Sequence, residues 1–160
     1  MIKKVIIILV FTLFFGSLSL AAGGDGSSTK SNYDKAVKLI KSAKKYEADG
    51  KIKKADDRYK KAFKLFLESN KEKPKNADTL NYLGFTSRKL GNFTEAEEYY
   101  LSGLKIKPNH KRINQYLGEL YLNTNRKDKA IEQLTILESC NCKEYNQLKE
   151  IIDGKRISKY

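Results

Sequence analysis

The sequence is poor in the residues on which catalytic and metal sites depend. Its 160 residues include one histidine, His110, one methionine and no tryptophan. A histidine-based triad or a histidine-rich metal centre would therefore have a single imidazole to use. The sequence also contains no glycine-rich phosphate loop and no G-x-S-x-G or H-E-x-x-H motif. We therefore expect neither enzyme activity nor a bound metal or cofactor.

Proline is almost as scarce, with only two residues in the chain. Long stretches without proline that are rich in Lys, Leu, Ala and Glu favour α-helix. The composition is 40% apolar and 32% charged, which is typical of a globular protein with a strongly solvated surface. A chain of 160 residues suits one domain.

The N-terminus has the layout of a secretory signal. Two lysines precede an unbroken apolar run over 5–15, and small residues follow. We predict a signal peptide over 1–22, cleaved after Ala21 or Ala22, and a flexible Gly/Ser-rich leader over 23–32. An uncleaved N-terminal membrane anchor is the alternative. The expected location is therefore periplasmic or secreted, where a disulfide is permitted and nucleic acid is not an expected partner.

Positive charge is concentrated in the first half of the chain. Residues 30–76 hold 16 Lys and Arg against 7 Asp and Glu, a net charge of +9, whereas residues 77–144 hold 10 against 9. Such asymmetry is compatible with a lysine-coated, solvated helix pair. It is also compatible with a weak association of this segment with an anionic membrane or polymer surface.

A helical hairpin recurs with a period of 34 residues. Small and apolar residues spaced by three and four predict two helices on either side of Gly50, and the same pattern returns from Leu80 and again from Asn114. In each copy we expect the small residue of the first helix to lie where the second helix approaches closely. The aligned pairs are Leu83 and Leu117, Gly84 and Gly118, Gly91 and Asn125, Ala96 and Ala130, and Tyr100 and Leu134.

This pattern of Leu-Gly, Ala, a large apolar residue and Pro resembles the tetratricopeptide repeat family. The match is strongest in 77–110, where Pro108 occupies the proline position near the end of the repeat. In 111–144 it departs at Asn114, where an apolar residue is usual, and at Cys142, where proline is usual. We interpret Asn114 as structural, bonded to a turn carbonyl or to His110. The repeat of about 36–69 matches through Gly50 and its second helix.

The resemblance implies an all-α fold, a right-handed superhelix of about three αα-hairpins. The domain would cover 33–154, with a capping helix at about 142–153 and a tail over 155–160.

In this family the concave face, lined by the first helix of each hairpin, binds a peptide or helix of a partner protein. The resemblance thus implies a scaffold or adaptor with a protein partner. Phe85 occupies a position where an asparagine helps to form the chaperone-tail clamp of some members, so the clamp is not implied. The residues expected to be exposed in the groove are Lys41, Lys44, Asn81, Tyr82, Phe85, Arg88, Lys89, Arg112, Gln115, Tyr116 and Glu119.

The two cysteines, Cys140 and Cys142, leave three interpretations open. They form a small structural disulfide or two simple thiols, a soft-metal site, or a redox pair. The last two would make the chain a thiol- or metal-handling protein. A disulfide that closes so short a loop would stabilise the fold by roughly 1–2 kcal/mol. Asn141, with Glu144 three residues later, predicts that a helix is capped at Asn141.

Overall fold

The computed structural model describes residues 30–158, so the predicted signal peptide and most of the leader lie outside the described residues. Within this range the chain forms seven α-helices and one short 3-10 turn, and contains no strand. None of the described helices is both long and apolar enough to cross a membrane. The predicted all-α fold is confirmed. The helices are α1 (Asn32–Ala48), α2 (Ile52–Glu72), α3 (Ala77–Lys89), α4 (Phe93–Ile106), α5 (Lys111–Asn123), α6 (Lys127–Leu137) and α7 (Lys143–Ile152), with the 3-10 turn at Glu138–Cys140.

The helices pair as three hairpins, α1 with α2, α3 with α4 and α5 with α6. Successive hairpins stack through α2 on α3 and through α4 on α5, and α7 packs against both helices of the last hairpin. Apolar side chains from neighbouring hairpins share the same buried clusters. This stacking is needed because one hairpin cannot bury its apolar face alone.

The three hairpin turns use the same left-handed backbone conformation. Gly50, Gly91 and Asn125 have φ values of 70°, 82° and 58°. These positions correspond in the repeat alignment. Glycine adopts positive φ without steric penalty, and asparagine tolerates it better than most residues. The sequence difference at Asn125 therefore preserves the turn.

Close helix packing explains two of the small positions that the repeats of this chain share. A Cβ at Gly84 would lie 2.5 Å from the Tyr100 ring of α4, as expected for the second helix of the same hairpin. At Gly118 the expectation was wrong in one respect. A Cβ there would meet Leu148 at 2.6 Å, so the close neighbour is α7 rather than α6. The capping helix thus occupies the space that a following hairpin would fill.

Candidate functional site

The candidate site is the surface formed by α1, α3, α5 and α7, the first helices of the hairpins and the cap, here called the inner face. These helices meet through their side chains. The ring centroids of Tyr33 and Tyr82 lie 5.8 Å apart, linking α1 to α3. Phe85 and Tyr116 lie 5.5 Å apart and link α3 to α5. Residues from all three repeats therefore come together on one surface.

The structure divides the predicted groove residues by exposure. Lys41, Lys44 and Arg112 are exposed, and Tyr82 and Tyr116 are half-buried. Lys89 is half-buried as a residue, but its side chain is only 4% exposed. The expectation that all eleven are exposed was wrong for five, because neighbouring first helices pack across those positions. The buried residues are Asn81, Phe85, Arg88, Gln115 and Glu119.

Aromatic rings form the apolar part of the inner face. The Tyr82 ring stacks on Phe66 with centroids 4.8 Å apart and planes at 4°. The Lys44 ammonium lies 4.8 Å from the centroid of the buried Phe85 ring. The pKa of Lys44 is lowered, first by loss of solvent around the ammonium and then by the charge of Arg112. Stacked rings cannot rotate freely, so Tyr82 presents a rigid apolar surface.

A buried ion pair lies behind this surface. Arg88 Nη1 donates to Glu119 Oε2 at 3.1 Å, and the two side chains are 2% and 7% exposed. Gln115 Nε2 donates to Glu119 Oε1 and to Gln147 Oε1, both at 2.9 Å. The Ser158 hydroxyl donates to Glu119 Oε2 at 3.2 Å. The Glu119 carboxylate is thus fully hydrogen-bonded within the chain, and its role is structural.

Glu47 is the acidic counterpart on α1. Its carboxylate accepts a hydrogen bond from the Tyr59 hydroxyl at 3.0 Å and forms an ion pair with the Lys89 ammonium. The pKa of Tyr59 is raised, first by burial and then by the charge of Glu47. Both Glu47 and Glu119 are therefore neutralised internally.

The exposed cations of the inner face have no such partners. Among residues 30–158, no ion pair involves Lys41, Lys44 or Arg112. The solvent-facing part of the site is therefore basic and aromatic.

The sequence did not predict that α7 and the tail contribute side chains to this hydrogen-bond network. Gln147 and Ser158 were not expected there. The only available signal was that α7 follows the third hairpin in the position of another first helix. Its inner-facing residues therefore belong to the same surface.

The single histidine is built into the fold. His110 is the N-cap residue of α5, and its Nδ1 accepts the backbone N–H of Ile113 at 3.2 Å. The proton must then sit on Nε2, which donates to Asp78 Oδ1 at 3.2 Å. The Asn114 amide donates to the carbonyl oxygens of Pro108 and His110 at 2.9 and 3.1 Å. The structural interpretation of Asn114 is confirmed, and this imidazole is engaged in positioning α5.

The two cysteines are bonded to each other in the structure. Cys140 and Cys142 form a disulfide with their Cα atoms 5.2 Å apart. The predicted cap at Asn141 was wrong. Asn141 adopts a left-handed conformation, with φ 42° and ψ 48°, and Cys142 is the N-cap of α7. Within the described residues, no group of three His, Cys, Asp or Glu side chains is placed to hold a metal ion.

Comparisons with known proteins agree with this architecture. Residues 87–150 match the family model described as "Tetratricopeptide repeat". A search of curated proteins found no match. Several solved structures are similar at low sequence identity, which shows the fold alone.

Three of these structures were determined with a bound peptide or protein region. The first TPR of Spaghetti (RPAP3) bound to the HSP90 peptide SRMEEVD has a TM-score of 0.55 and 19% identity, covering 78% of this chain and 96% of that one. The Yersinia enterocolitica type III secretion chaperone SycD with a peptide of the translocator YopD has the same TM-score and identity, covering 76% and 88%. PcrH with the chaperone-binding region of PopD has a TM-score of 0.55 and 16% identity, covering 76% and 90%.

The stacked hairpins, the positions of the small residues and the match over 87–150 lead to one conclusion. Residues 87–150 match the tetratricopeptide repeat family, and the described helices have the fold of tetratricopeptide repeat domains.

Proposed function

We propose that this protein is a periplasmic or secreted adaptor whose inner face binds an acidic segment of a partner protein. The observation that carries the proposal is the charge distribution of the inner face. The glutamates Glu47 and Glu119 are paired within the chain, whereas the exposed residues Lys41, Lys44 and Arg112 form no ion pair with any other residue of 30–158. Carboxylates of an incoming segment supply the missing partners.

The aromatic rings favour a segment that also carries apolar side chains. Tyr82 and Tyr116 are half-buried and packed against other rings, so they offer fixed apolar surface beside the cations. Rigid aromatic side chains lose little conformational entropy on binding. The expected ligand is therefore a peptide or helix with acidic and apolar residues close together.

The structural neighbours support this class of ligand. One neighbour was solved with the acidic HSP90 peptide SRMEEVD, and two others with translocator peptides or regions. The fold family serves protein interaction rather than catalysis, and His110 is already engaged in capping α5. We therefore infer that the inner face has a binding role.

The proposed location is supported by the sequence of residues 1–22. Periplasmic fractionation combined with intact-mass measurement tests it. The expected mature protein starts at Ala22 or Gly23. Recovery of the full-length chain in the membrane fraction would instead support the anchor.

Charge reversal tests the inner face. We expect Lys41→Glu/Lys44→Glu/Arg112→Glu to lose most of the partners that the wild type captures from a periplasmic extract after cross-linking. The matched control is Lys60→Glu/Lys64→Glu/Lys105→Glu. It makes the same change in net charge with exposed residues of the second helices α2 and α4.

The control separates local from general electrostatics. The proposal requires the control variant to retain the partners at wild-type levels. Equal loss in both variants would show that binding follows overall charge, and equal retention in both would place the binding surface elsewhere. Circular dichroism of each variant confirms that the helices are intact.

A further inference from the structure

The Cys140–Cys142 disulfide lies at the joint between the third hairpin and the capping helix. Cys140 ends the 3-10 turn and Cys142 is the N-cap of α7. Both residues are half-buried, so part of each lies at the surface. Within the described residues, the inner-face contacts given above do not involve Cys140 or Cys142.

The disulfide closes a loop with a single residue between the cysteines. The contribution of a disulfide to the stability of the fold grows with loop length, so it is small here. Asn141, between the two cysteines, has φ 42°, in the left-handed region that asparagine tolerates better than most side chains. Opening this disulfide therefore costs the fold less than opening one that closes a long loop.

The two sulfur atoms are not equivalent. Cys142 stands at the N-terminus of the ten-residue helix α7, where no side chain caps the free N–H groups. A helix N-terminus favours a thiolate, and Lys143 adds a positive charge. Glu138 and Glu144 oppose this effect in part. Cys140 lacks a comparable helix, so the Cys142 sulfur is the better leaving group.

The capping helix does not depend on the disulfide for its place. Leu148 is fully buried against α5, in the space above Gly118. The Gln147 amide oxygen accepts a hydrogen bond from Gln115 at 2.9 Å. These contacts hold α7 when the sulfur atoms separate. We therefore expect the fold to tolerate both the disulfide and the dithiol state.

We propose that Cys140–Cys142 is a thiol–disulfide exchange site that oxidises a dithiol in a protein substrate. A substrate thiolate attacks the Cys140 sulfur, and Cys142 leaves as a thiolate that takes up a proton. The second substrate thiolate then attacks the substrate sulfur of the mixed disulfide and displaces Cys140. The substrate loses two electrons and two protons and gains a disulfide, and the cysteine pair is reduced to two thiols.

The test uses the oxidised full chain and a reduced synthetic peptide with two cysteines, mixed without oxygen. We expect one peptide disulfide to form per protein, and two thiols to become alkylated on the protein, as read by intact mass. In the Cys142→Ser variant Cys140 accumulates a mixed disulfide with oxidised glutathione. In the Cys140→Ser variant the remaining thiol ionises at lower pH than the thiol of the Cys142→Ser variant.

Position 141 provides a matched pair of variants. In a glutathione buffer we expect Asn141→Ala to shift the equilibrium severalfold towards the dithiol, because alanine tolerates the left-handed conformation less well. Asn141→Gly shifts it towards the disulfide. Circular dichroism controls for the fold. The proposal fails if the peptide stays reduced, if the two Asn141 variants do not differ, or if the purified protein carries free thiols with bound copper.

Discussion

Replacing Glu119 by glutamine tests whether the buried ion pair supports the fold rather than the ligand. The variant keeps the shape of the side chain and one oxygen, but it removes the charge that faces Arg88 at 3.1 Å. Gln115 retains an acceptor in this variant, whereas Arg88 faces an amide instead of a carboxylate. The guanidinium side chain is 2% exposed, so water cannot replace the lost partner.

The expected loss follows from the burial of both groups. Removing one partner of a buried pair usually costs about 3–5 kcal/mol, and the retained hydrogen bonds favour the lower end, about 3 kcal/mol. An unfolding entropy of about 2.1 cal/mol/K per residue over residues 30–158 amounts to about 0.27 kcal/mol/K. The expected drop in Tm is therefore about 11 °C.

Thermal and urea unfolding, followed by circular dichroism at 222 nm, measure this loss. Arg88→Met and the double variant complete a cycle. We expect a coupling energy of about 2 kcal/mol, because the double variant leaves no unpaired buried charge. A coupling below about 0.5 kcal/mol, or a Tm unchanged in Glu119→Gln, would refute the reasoning. A loss of partner binding without loss of stability would contradict the structural role of Glu119.

Two further predictions concern other parts of the fold. Gly84→Ala places a Cβ 2.5 Å from the Tyr100 ring, and we expect a loss of about 1–3 kcal/mol in urea unfolding. Gly103→Ala should lower the free energy of unfolding by less, because the atom closest to a Cβ there is the movable end of a side chain. Equal losses of stability in the two variants would contradict the packing argument. Hydrogen bonds from Arg126, at 2.7 and 2.9 Å, lower the pKa of Glu97. This pair should therefore contribute about 0.5–1 kcal/mol above the unfolded pKa of about 4.3 and lose it as pH falls through the folded value. In Glu97→Gln the free energy of unfolding should fall less steeply as the pH decreases. An unchanged pH dependence would argue against the pair.

The fold was predictable from the sequence because it depends on local periodicity. Spacings of three and four determine which face of each helix is apolar, and the 34-residue offset shows that the unit repeats. The repeat offset pairs Gly91 with Asn125, and the structure shows that both have positive φ at corresponding turns.

The candidate site was predictable only in outline. The alignment placed Arg88 and Glu119 on first helices, but it did not reveal that they bury each other across 31 residues. The pairing of Glu97 with Arg126, 29 residues apart, was likewise absent from the periodic pattern. Long-range pairs depend on the stacking angle and side-chain length, which periodicity does not encode.

By itself the sequence determined the fold class, which is a stack of helical hairpins with a basic first segment and a cysteine pair at its end. The tertiary structure decided which polar residues are available to a partner. Stacking brings first helices into contact, so Arg88, Gln115 and Glu119 satisfy one another inside the chain. Lys41 and Arg112 lie at the surface and form no ion pair with another residue of 30–158. The sequence and the tertiary structure decide different features for a physical reason. The apolar face of a helix follows from local residue spacing, whereas the burial of a charge depends on which distant group packs against it.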